Sequence, residues 1–219
     1  MDRTDYAAAR LAMVDTQVRP SDVTLYPIIG AMLEIPRERF VPPELRKVAY
    51  AGADLPLGAG RVLLDARVLA KMLDALKPGP DDLVLDIAPG LGYSTALLAR
   101  LAAAVVAVEP DADMRRSADE TLADLGLETA MVHAGAAHLG APDDGPYDAV
   151  LVNGGIEILP AAIAQQLKPG GRIVAIMMGG TAGQCRLGVK TEAGLSWKTV
   201  FDATAPILSG YEKPRSFVF

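Results

Sequence analysis

The stretch Val84-Leu85-Asp86-Ile87-Ala88-Pro89-Gly90-Leu91-Gly92-Tyr93 decides the fold that we predict for this chain. An aliphatic run typical of a buried strand ends near the carboxylate of Asp86, and a glycine-rich turn leads into a helical pattern that begins at Ser94. Such a turn lets a ligand approach the backbone and the positive end of the helix. The next aliphatic run ends at Glu109, where an acid can accept both hydrogen bonds of a ribose diol. Together these features predict a nucleotide-binding α/β fold.

Aliphatic runs and helical patterns alternate through the rest of the chain. This alternation predicts an α/β, doubly wound, mostly parallel sheet of the Rossmann-like type. Its predicted strands are Leu83–Ile87, Val105–Glu109, Glu128–His133, Tyr147–Val152 and Arg172–Met178. The predicted helices between them are Ser94–Leu101, Asp111–Leu125 and Pro160–Leu167. Beyond Gly180 the helical signal is lost, and we expect antiparallel C-terminal strands at Leu187–Lys190, Ser196–Phe201 and Arg215–Phe219.

The first third of the chain carries helical patterns that are interrupted by proline. We expect helices at Asp5–Val18, at Thr24–Leu33, from Pro42 to Tyr50, and at Val62–Leu76 after a turn at Gly58-Ala59-Gly60. The expected organisation is an N-terminal helical segment, residues 1–75, packed on a core of residues 76–219 as one structural unit.

Composition excludes several classes of function. The chain has 21 Lys and Arg against 27 Asp and Glu, and its net charge of −6 argues against a nucleic-acid partner. The single Cys185 excludes a disulfide framework and a cysteine zinc site, and His133 and His138 have no third ligand beside them, so we expect no metal. The apolar run Leu101–Val108 is far shorter than the ~20 residues that cross a bilayer. Because Met1–Arg10 also lacks the apolar core of a signal peptide, we expect a cytoplasmic protein with no membrane partner.

Two nucleotide ligands compete for the predicted glycine turn. A dinucleotide-binding fold needs a third glycine in G-x-G-x-x-G, where this chain has Thr95. Asp86, before the turn, favours S-adenosylmethionine instead, because a carboxylate there stabilises the positive amino and sulfonium groups of that ligand. A nicotinamide-dependent oxidoreductase is the less favoured alternative, and the chain has no Tyr-x-x-x-Lys pair. A third interpretation needs no ligand: a tight turn, with Glu109 capping the next helix.

Over nearly its whole length the chain resembles the protein-L-isoaspartate O-methyltransferase family of class I S-adenosylmethionine-dependent enzymes. The N-terminal segments are the most specific part of the resemblance, because other class I enzymes carry unrelated N-termini. The matching segments are Met13–Arg19, Ile35–Pro42, Ala49-Tyr50, Leu55–Gly58, Gly90–Ala96, Pro146–Val150 and Gln166–Arg172. The resemblance implies S-adenosylmethionine as cofactor, a protein or peptide substrate that contains isoaspartate, and a function in protein repair.

The chain departs from this family at three places. The family places a serine, which helps to hold the substrate carboxylate, where this chain has Leu64, and the neighbouring Asp65 would repel a carboxylate. The family's glycine-aspartate-glycine after the third strand is Gly135-Ala136-Ala137 here. The first glycine of its cofactor loop is Ala88. The alternative is therefore a degenerate member that binds the cofactor or a partner without isoaspartyl methylation.

These considerations assign candidate residues to two halves of one site. On the acceptor side we name the Leu64 position, Asn153 and Arg61, since arginine can grip a carboxylate with two hydrogen bonds. Arg67 is the other arginine nearby, and we interpret it as a solvated charge on a helix face. The cofactor-binding candidates are Asp86, Ala88, Gly90, Gly92, Tyr93, Glu109, Gly135, Ala136 and Asn153. We expect a monomer or a weak dimer.

Overall fold

A computed structural model describes residues 5–214 of the chain. Its helices are α1 (Tyr6–Met13), α2 (Tyr26–Glu34), α3 (Ala66–Leu76), α4 (Tyr93–Leu98), α5 (Ala112–Asp124) and α6 (Ala161–Gln165). Its strands are β1 (Leu55–Gly58), β2 (Arg61–Leu63), β3 (Leu83–Ile87), β4 (Ala104–Glu109), β5 (Ala130–Ala134), β6 (Tyr147–Ile156), β7 (Leu167–Gly179), β8 (Ala182–Thr191) and β9 (Gly194–Asp202). Within residues 5–214, none of these helices has the length and apolar character needed to span a bilayer.

The main sheet has seven strands in the order β5-β4-β3-β6-β7-β8-β9. The first five in this order are parallel, which confirms the doubly wound α/β prediction. The chain runs outward from β3 through β4 to β5 and then crosses back to place β6 on the other side of β3. Such a reversal leaves a crevice at the carboxyl ends of the central strands, where α/β sheets bind their ligands. Asp86 lies near the end of β3, at this crevice in the centre of the sheet.

The central strand β3 is buried because apolar side chains cover both of its faces. Val84 belongs to one hydrophobic cluster, whereas its neighbour Leu85 belongs to a second one, as expected where successive side chains point to opposite faces. Met13 and Met32 of the N-terminal segment share the first cluster with Val84. The N-terminal helices therefore contribute directly to the core on one face of the sheet.

The antiparallel ending is confirmed for two of the three predicted strands. The segments Leu187–Lys190 and Ser196–Phe201 lie inside the longer strands β8 and β9, which pair antiparallel. The third segment, Arg215–Phe219, lies outside the described residues. Cys185 lies on β8 and is fully buried, because β8 begins at Ala182, ahead of the predicted start at Leu187.

The predicted helix Val62–Leu76 is wrong at its beginning. Residues 55–63 form the hairpin of β1 and β2, and α3 begins only at Ala66. Gly58, Ala59 and Gly60 all have positive φ, which reverses the chain tightly. Asp65 then caps α3, since its side chain accepts a hydrogen bond from the Arg67 amide at 2.7 Å. The pattern Pro42–Tyr50 is a 3₁₀-helix over Pro43–Val48.

Candidate functional site

Asp86 lies at the centre of the crevice, completely buried and held by three side chains. The hydroxyls of Ser94 and Thr95, at the start of α4, each donate to its Oδ2 at 2.7 Å. From β6, the Asn153 amide donates to its Oδ1 at 2.5 Å. Burial, opposed by these three donors, raises the pKa of Asp86 to about 6. The carboxylate thus joins β3, α4 and β6 at the point where the sheet reverses direction.

The glycine turn between β3 and α4 has the backbone shape that its sequence predicts. Gly90 and Gly92 have φ values of 65° and 94°, which residues with a Cβ rarely adopt. A Cβ placed on Gly90 would lie 2.6 Å from Cδ1 of Leu57, on the β1–β2 hairpin. Ala88 also has positive φ, at 56°, so it takes a glycine conformation without being glycine.

Glu109 ends β4 as a completely buried acid beside this turn. Its Oε2 accepts a hydrogen bond from the Gly90 amide at 2.7 Å, and its Oε1 accepts one from the Asp111 amide at 3.1 Å. Arg61, the first residue of β2, places Nη1 at 3.1 Å from Oε1 and Nη2 at 3.4 Å from Oε2. Arg61 also donates to the Ala88 carbonyl. The structure therefore places Arg61, predicted to act on the acceptor, on the predicted ribose-binding acid.

Asn153 lies within β6, just beyond the predicted end of this strand at Val152, and is also buried. Its side chain donates to Asp86 and, at 3.2 Å, to the Ile87 carbonyl, so it bridges β6 to β3 where their pairing ends. Leu208 of the C-terminal segment covers the next residue: a Cβ on Gly154 would lie 2.6 Å from its side chain. Tyr211 donates to the Ala137 carbonyl at 2.9 Å. This segment therefore ties the loop after β5 to the end of β6.

The backbone at Leu64 is held by a buried arginine. The Arg37 guanidinium is completely buried and donates to the carbonyls of Ala49 at 2.7 Å and Leu64 at 2.8 Å. It also lies 5.0 Å from the centre of the Tyr93 ring. Burial lowers the pKa of Arg37. Leu64 itself is only 2% exposed and packs in the hydrophobic core, so its side chain offers nothing to a ligand.

Comparison with known proteins identifies the family. The model of the protein-L-isoaspartate(D-aspartate) O-methyltransferase family matches residues 12–199. The chain belongs to this family. A protein-L-isoaspartate O-methyltransferase of Methylorubrum extorquens is 39% identical over 183 residues, which cover 84% of this chain and 79% of that protein. One of Koribacter versatilis is 35% identical over 201 residues, with 92% and 90% covered.

Solved structures agree with this family fold. A protein-L-isoaspartate O-methyltransferase superposes with a TM-score of 0.80 at 23% identity, covering 92% of this chain and 66% of that protein. A Plasmodium falciparum protein solved under the same family name, in complex with S-adenosyl-L-homocysteine, gives a TM-score of 0.76 at 14% identity, with 94% and 99% covered. At these identities the superpositions show the fold alone. Family membership makes S-adenosylmethionine the methyl donor and decides against the nicotinamide alternative.

The donor residues of this family member fit such a nucleoside. The positive-φ Gly90 and the Glu109 carboxylate lie at the edge of the sheet where α/β folds bind a ribose diol, and the Glu109 oxygens accept hydrogen bonds from Gly90, Asp111 and Arg61. A Cβ on Gly135 would lie 3.3 Å from Val108, which brings the loop after β5 close to the end of β4. Ala136 beside it is partly exposed. The candidate Tyr93 is completely buried, and its ring packs beside Phe40 in the core.

A cleft of about 990 Å³ opens beside the Leu64 segment at the carboxyl ends of β6 and β7. Carboxylates and cations both line it, and Asp54 is directly linked to the segment because its Oδ1 accepts from the Asp65 amide at 2.7 Å. Burial raises the pKa of Asp54. The charged lining residues are Asp54, Asp65, Arg67, Glu157, Arg186, Asp202 and Lys213. Among residues 5–214, no group of three His, Cys, Asp or Glu side chains is placed to hold a metal.

Several residues of the site were missed by the sequence analysis. Arg37 was quoted only as part of the resemblance at Ile35–Pro42, and a buried arginine has no signal of its own in a sequence. Leu208 and Tyr211 lie in a segment without helical or strand pattern. The only available signal was the glycine pair Gly154-Gly155, which indicates that another part of the chain approaches the backbone closely.

Proposed function

We propose that this family member transfers a methyl group from S-adenosylmethionine to a carboxylate of a protein or peptide, with isoaspartate as the acceptor in protein repair. The observation that carries the proposal is the donor half of the site. A buried acid, Glu109, and a positive-φ glycine, Gly90, meet at the carboxyl ends of β3 and β4. The names of the 35–39% identical relatives support the acceptor class.

The proposed reaction asks little acid–base chemistry of the protein. When bound, S-adenosylmethionine supplies a methyl group activated by a neighbouring sulfonium. A carboxylate acceptor is already ionised at neutral pH, because carboxyl pKa values lie near ~4, so the chain needs no general base. Its residues instead position the two reactants and exclude water. Glu109 and Gly90 hold the nucleoside side, and Asp86 with Asn153 fixes the ends of β3 and β6 around it.

The cleft beside the Leu64 segment is the proposed site of the protein acceptor. Its cations are Arg67, Arg186 and Lys213, and arginine in particular binds a carboxylate with a planar pair of donors. Arg67 is exposed at the start of α3, as the sequence analysis expected of a helix-face charge, so it is accessible to a peptide. The open, mixed-charge character of the cleft suits a polypeptide better than a small apolar molecule.

The experiment is a methyl-transfer assay with radiolabelled S-adenosylmethionine. The acceptor is an isoaspartyl peptide, and the control is the same peptide with ordinary aspartate. We expect base-labile methyl ester on the isoaspartyl peptide only. Glu109→Gln is the matched enzyme control, and we expect it to lower the signal at low donor concentration. Label on neither peptide, from protein that binds S-adenosylhomocysteine, would contradict the proposal.

One observation favours a second candidate, a degenerate member that binds the donor without this methylation. Leu64 is buried in the core, and the carboxylates of Asp54 and Asp65 lie beside it, so the segment that carries the family serine offers repulsion instead of a hydroxyl. Donor binding without label would favour this candidate. Restoring the hydroxyl with Leu64→Ser separates the two further, since a gain of label would show that only this hydroxyl is missing.

We also propose a division into residues 1–75 and 76–219, a monomer or weak dimer without a nucleic-acid partner, and a cytoplasmic location. Size-exclusion chromatography with light scattering checks the oligomeric state, and a stable dimer at micromolar protein concentration would contradict the proposal.

A further inference from the structure

We propose that Arg61 competes with the ribose of the methyl donor for Glu109, and so sets how tightly the protein holds the nucleoside. The inference rests on the proposed function, because it assumes that the Glu109 carboxylate is the ribose acceptor. It differs from the predicted role of Arg61 on the acceptor, since the structure gives Arg61 another partner.

The Glu109 carboxylate can accept only a limited number of hydrogen bonds. An ionised carboxylate offers about four lone-pair positions. Glu109 uses two for the backbone amides of Gly90 at 2.7 Å and Asp111 at 3.1 Å. Arg61 takes the other two, at 3.1 and 3.4 Å. A ribose diol that donates to Glu109 therefore meets a carboxylate whose acceptor positions are already filled.

The three donors to Glu109 differ in whether they can move away from it. Gly90 and Asp111 donate from the backbone at the beginnings of α4 and α5, so they stay with the turn that forms the site. Arg61 reaches Glu109 by its side chain alone. Its guanidinium also donates to the Ala88 carbonyl, so it spans the gap between the ends of β3 and β4. Nucleosides bind in this gap in sheets of this type, and the ribose and the guanidinium thus exclude each other.

Arg61 lies next to the exposed tip of the β1–β2 hairpin, where it has room to move. Arg61 follows the exposed turn Gly58-Ala59-Gly60, and a Cβ on either glycine would meet no atom within 4 Å. The other end of the hairpin is fixed, because buried Arg37 holds the Leu64 carbonyl at 2.8 Å. A displacement of Arg61 can therefore be confined to the tip.

The contact that must be broken is a strong one. The side chain of Arg61 is 12% exposed and that of Glu109 is 0% exposed, so the pair is largely removed from water. Hydrogen bonds between charged groups at such positions are roughly twice as strong as neutral ones. We therefore expect the competition to weaken nucleoside binding by about tenfold.

The test is isothermal titration of S-adenosyl-L-homocysteine into the wild type, Arg61→Gln and Arg100→Gln. Arg100 is the matched control, because it also pairs with a glutamate, Glu34 at 2.7 Å, but on an exposed surface. We expect the Kd of Arg61→Gln to be about tenfold lower than that of the wild type, and the Kd of Arg100→Gln to be unchanged. An analogue that lacks the ribose 2′-hydroxyl should gain less from Arg61→Gln, since it competes for fewer acceptor positions. Arg61→Lys keeps the charge without the planar fork and should tighten binding by a smaller factor.

The outcomes separate this inference from the proposed function. Equal Kd values for the wild type and Arg61→Gln, or weaker binding by the variant, would overturn the competition and leave the donor site intact. No binding by any of the proteins at millimolar ligand would overturn the donor site, and the competition with it. Thermal denaturation of each variant verifies that it is folded before titration.

Discussion

The proposed donor half and the proposed acceptor half of this site are built from different kinds of contact. In the donor half, the buried carboxylates of Asp86 and Glu109 are each surrounded by donors from the neighbouring strands and helices. In the acceptor half, the buried charge is Arg37, which donates to two backbone carbonyls and lies over the Tyr93 ring; among residues 5–214 it forms no salt bridge to a carboxylate. The Leu64 side chain beside it belongs to the core.

This difference predicts which half tolerates substitution. The donor half depends on side-chain contacts from β2, α4 and β6 to two buried carboxylates, and losing one of these contacts leaves a buried carboxylate short of a partner. The acceptor half depends on a single segment whose backbone is held by Arg37. Its side chains can therefore change from hydroxyl to aliphatic, as at Leu64, without losing that backbone contact.

The largest expected effect comes from Leu64→Ser. Because Leu64 is a core residue, the substitution leaves a cavity and buries a hydroxyl, and we expect the free energy of unfolding to fall by ~3–5 kcal/mol in urea denaturation. Leu11→Ser is the control, since Leu11 is 51% exposed and should lose less than ~0.5 kcal/mol. A loss of under ~1 kcal/mol at Leu64 would mean that this side chain faces the acceptor, and the comparison of the two halves would fail.

A smaller effect is expected from the pH dependence of Asp86. Because burial raises its pKa from 3.8 to about 6, the unfolded chain ionises first as pH rises. The folded state therefore loses relative stability between about pH 4 and pH 6, by ~3 kcal/mol at most, and the loss is constant above that window. Asp86→Asn keeps a group that can bond Asn153, Ser94 and Thr95, and it should remove this slope. Urea denaturation of both proteins at pH 4.5, 5.5 and 7 measures it, and identical pH profiles would contradict the prediction.

The smallest effect concerns the strained residue of the donor turn. Ala88 has a φ of 56°, a conformation that costs alanine about 1–2 kcal/mol and glycine almost nothing. Glycine loses more chain entropy than alanine on folding, which offsets part of this gain. Ala88→Gly should still raise the free energy of unfolding by ~0.5–1 kcal/mol. Ala107→Gly, in ordinary strand conformation on β4, should lower it and serves as the control of opposite sign. Loss of stability with Ala88→Gly would show that packing of the alanine methyl contributes more free energy than the backbone strain costs.

Elements with a strong local sequence pattern were predicted, and elements without one were missed. Four of the five parallel strands were predicted because each contains a compact aliphatic run, whereas β5 was predicted from a weaker pattern. Their order brought Asp86, Glu109 and Asn153 to one edge of the sheet. The β1–β2 hairpin was missed because its strands have four and three residues, and the apolar pattern of α3 runs into them.

The contacts within the site were harder to predict than the positions. Arg61 and Glu109 are 48 residues apart, and neither residue type specifies the other as a partner. Arg37 was missed for a different reason: arginines are almost never fully buried unless paired, so composition predicts it at the surface. Both contacts depend on how the hairpin docks on the sheet, which local patterns do not contain.

The central claim, that the donor half is a working nucleoside site built on Glu109, is tested most directly by calorimetric titration of S-adenosyl-L-homocysteine into the wild type and Glu109→Gln. The account predicts saturable binding by the wild type and about 10–100-fold weaker binding by the variant, because a charge-assisted acceptor is lost. No heat from the wild type at millimolar ligand, or equal affinity in the two folded proteins, would contradict it.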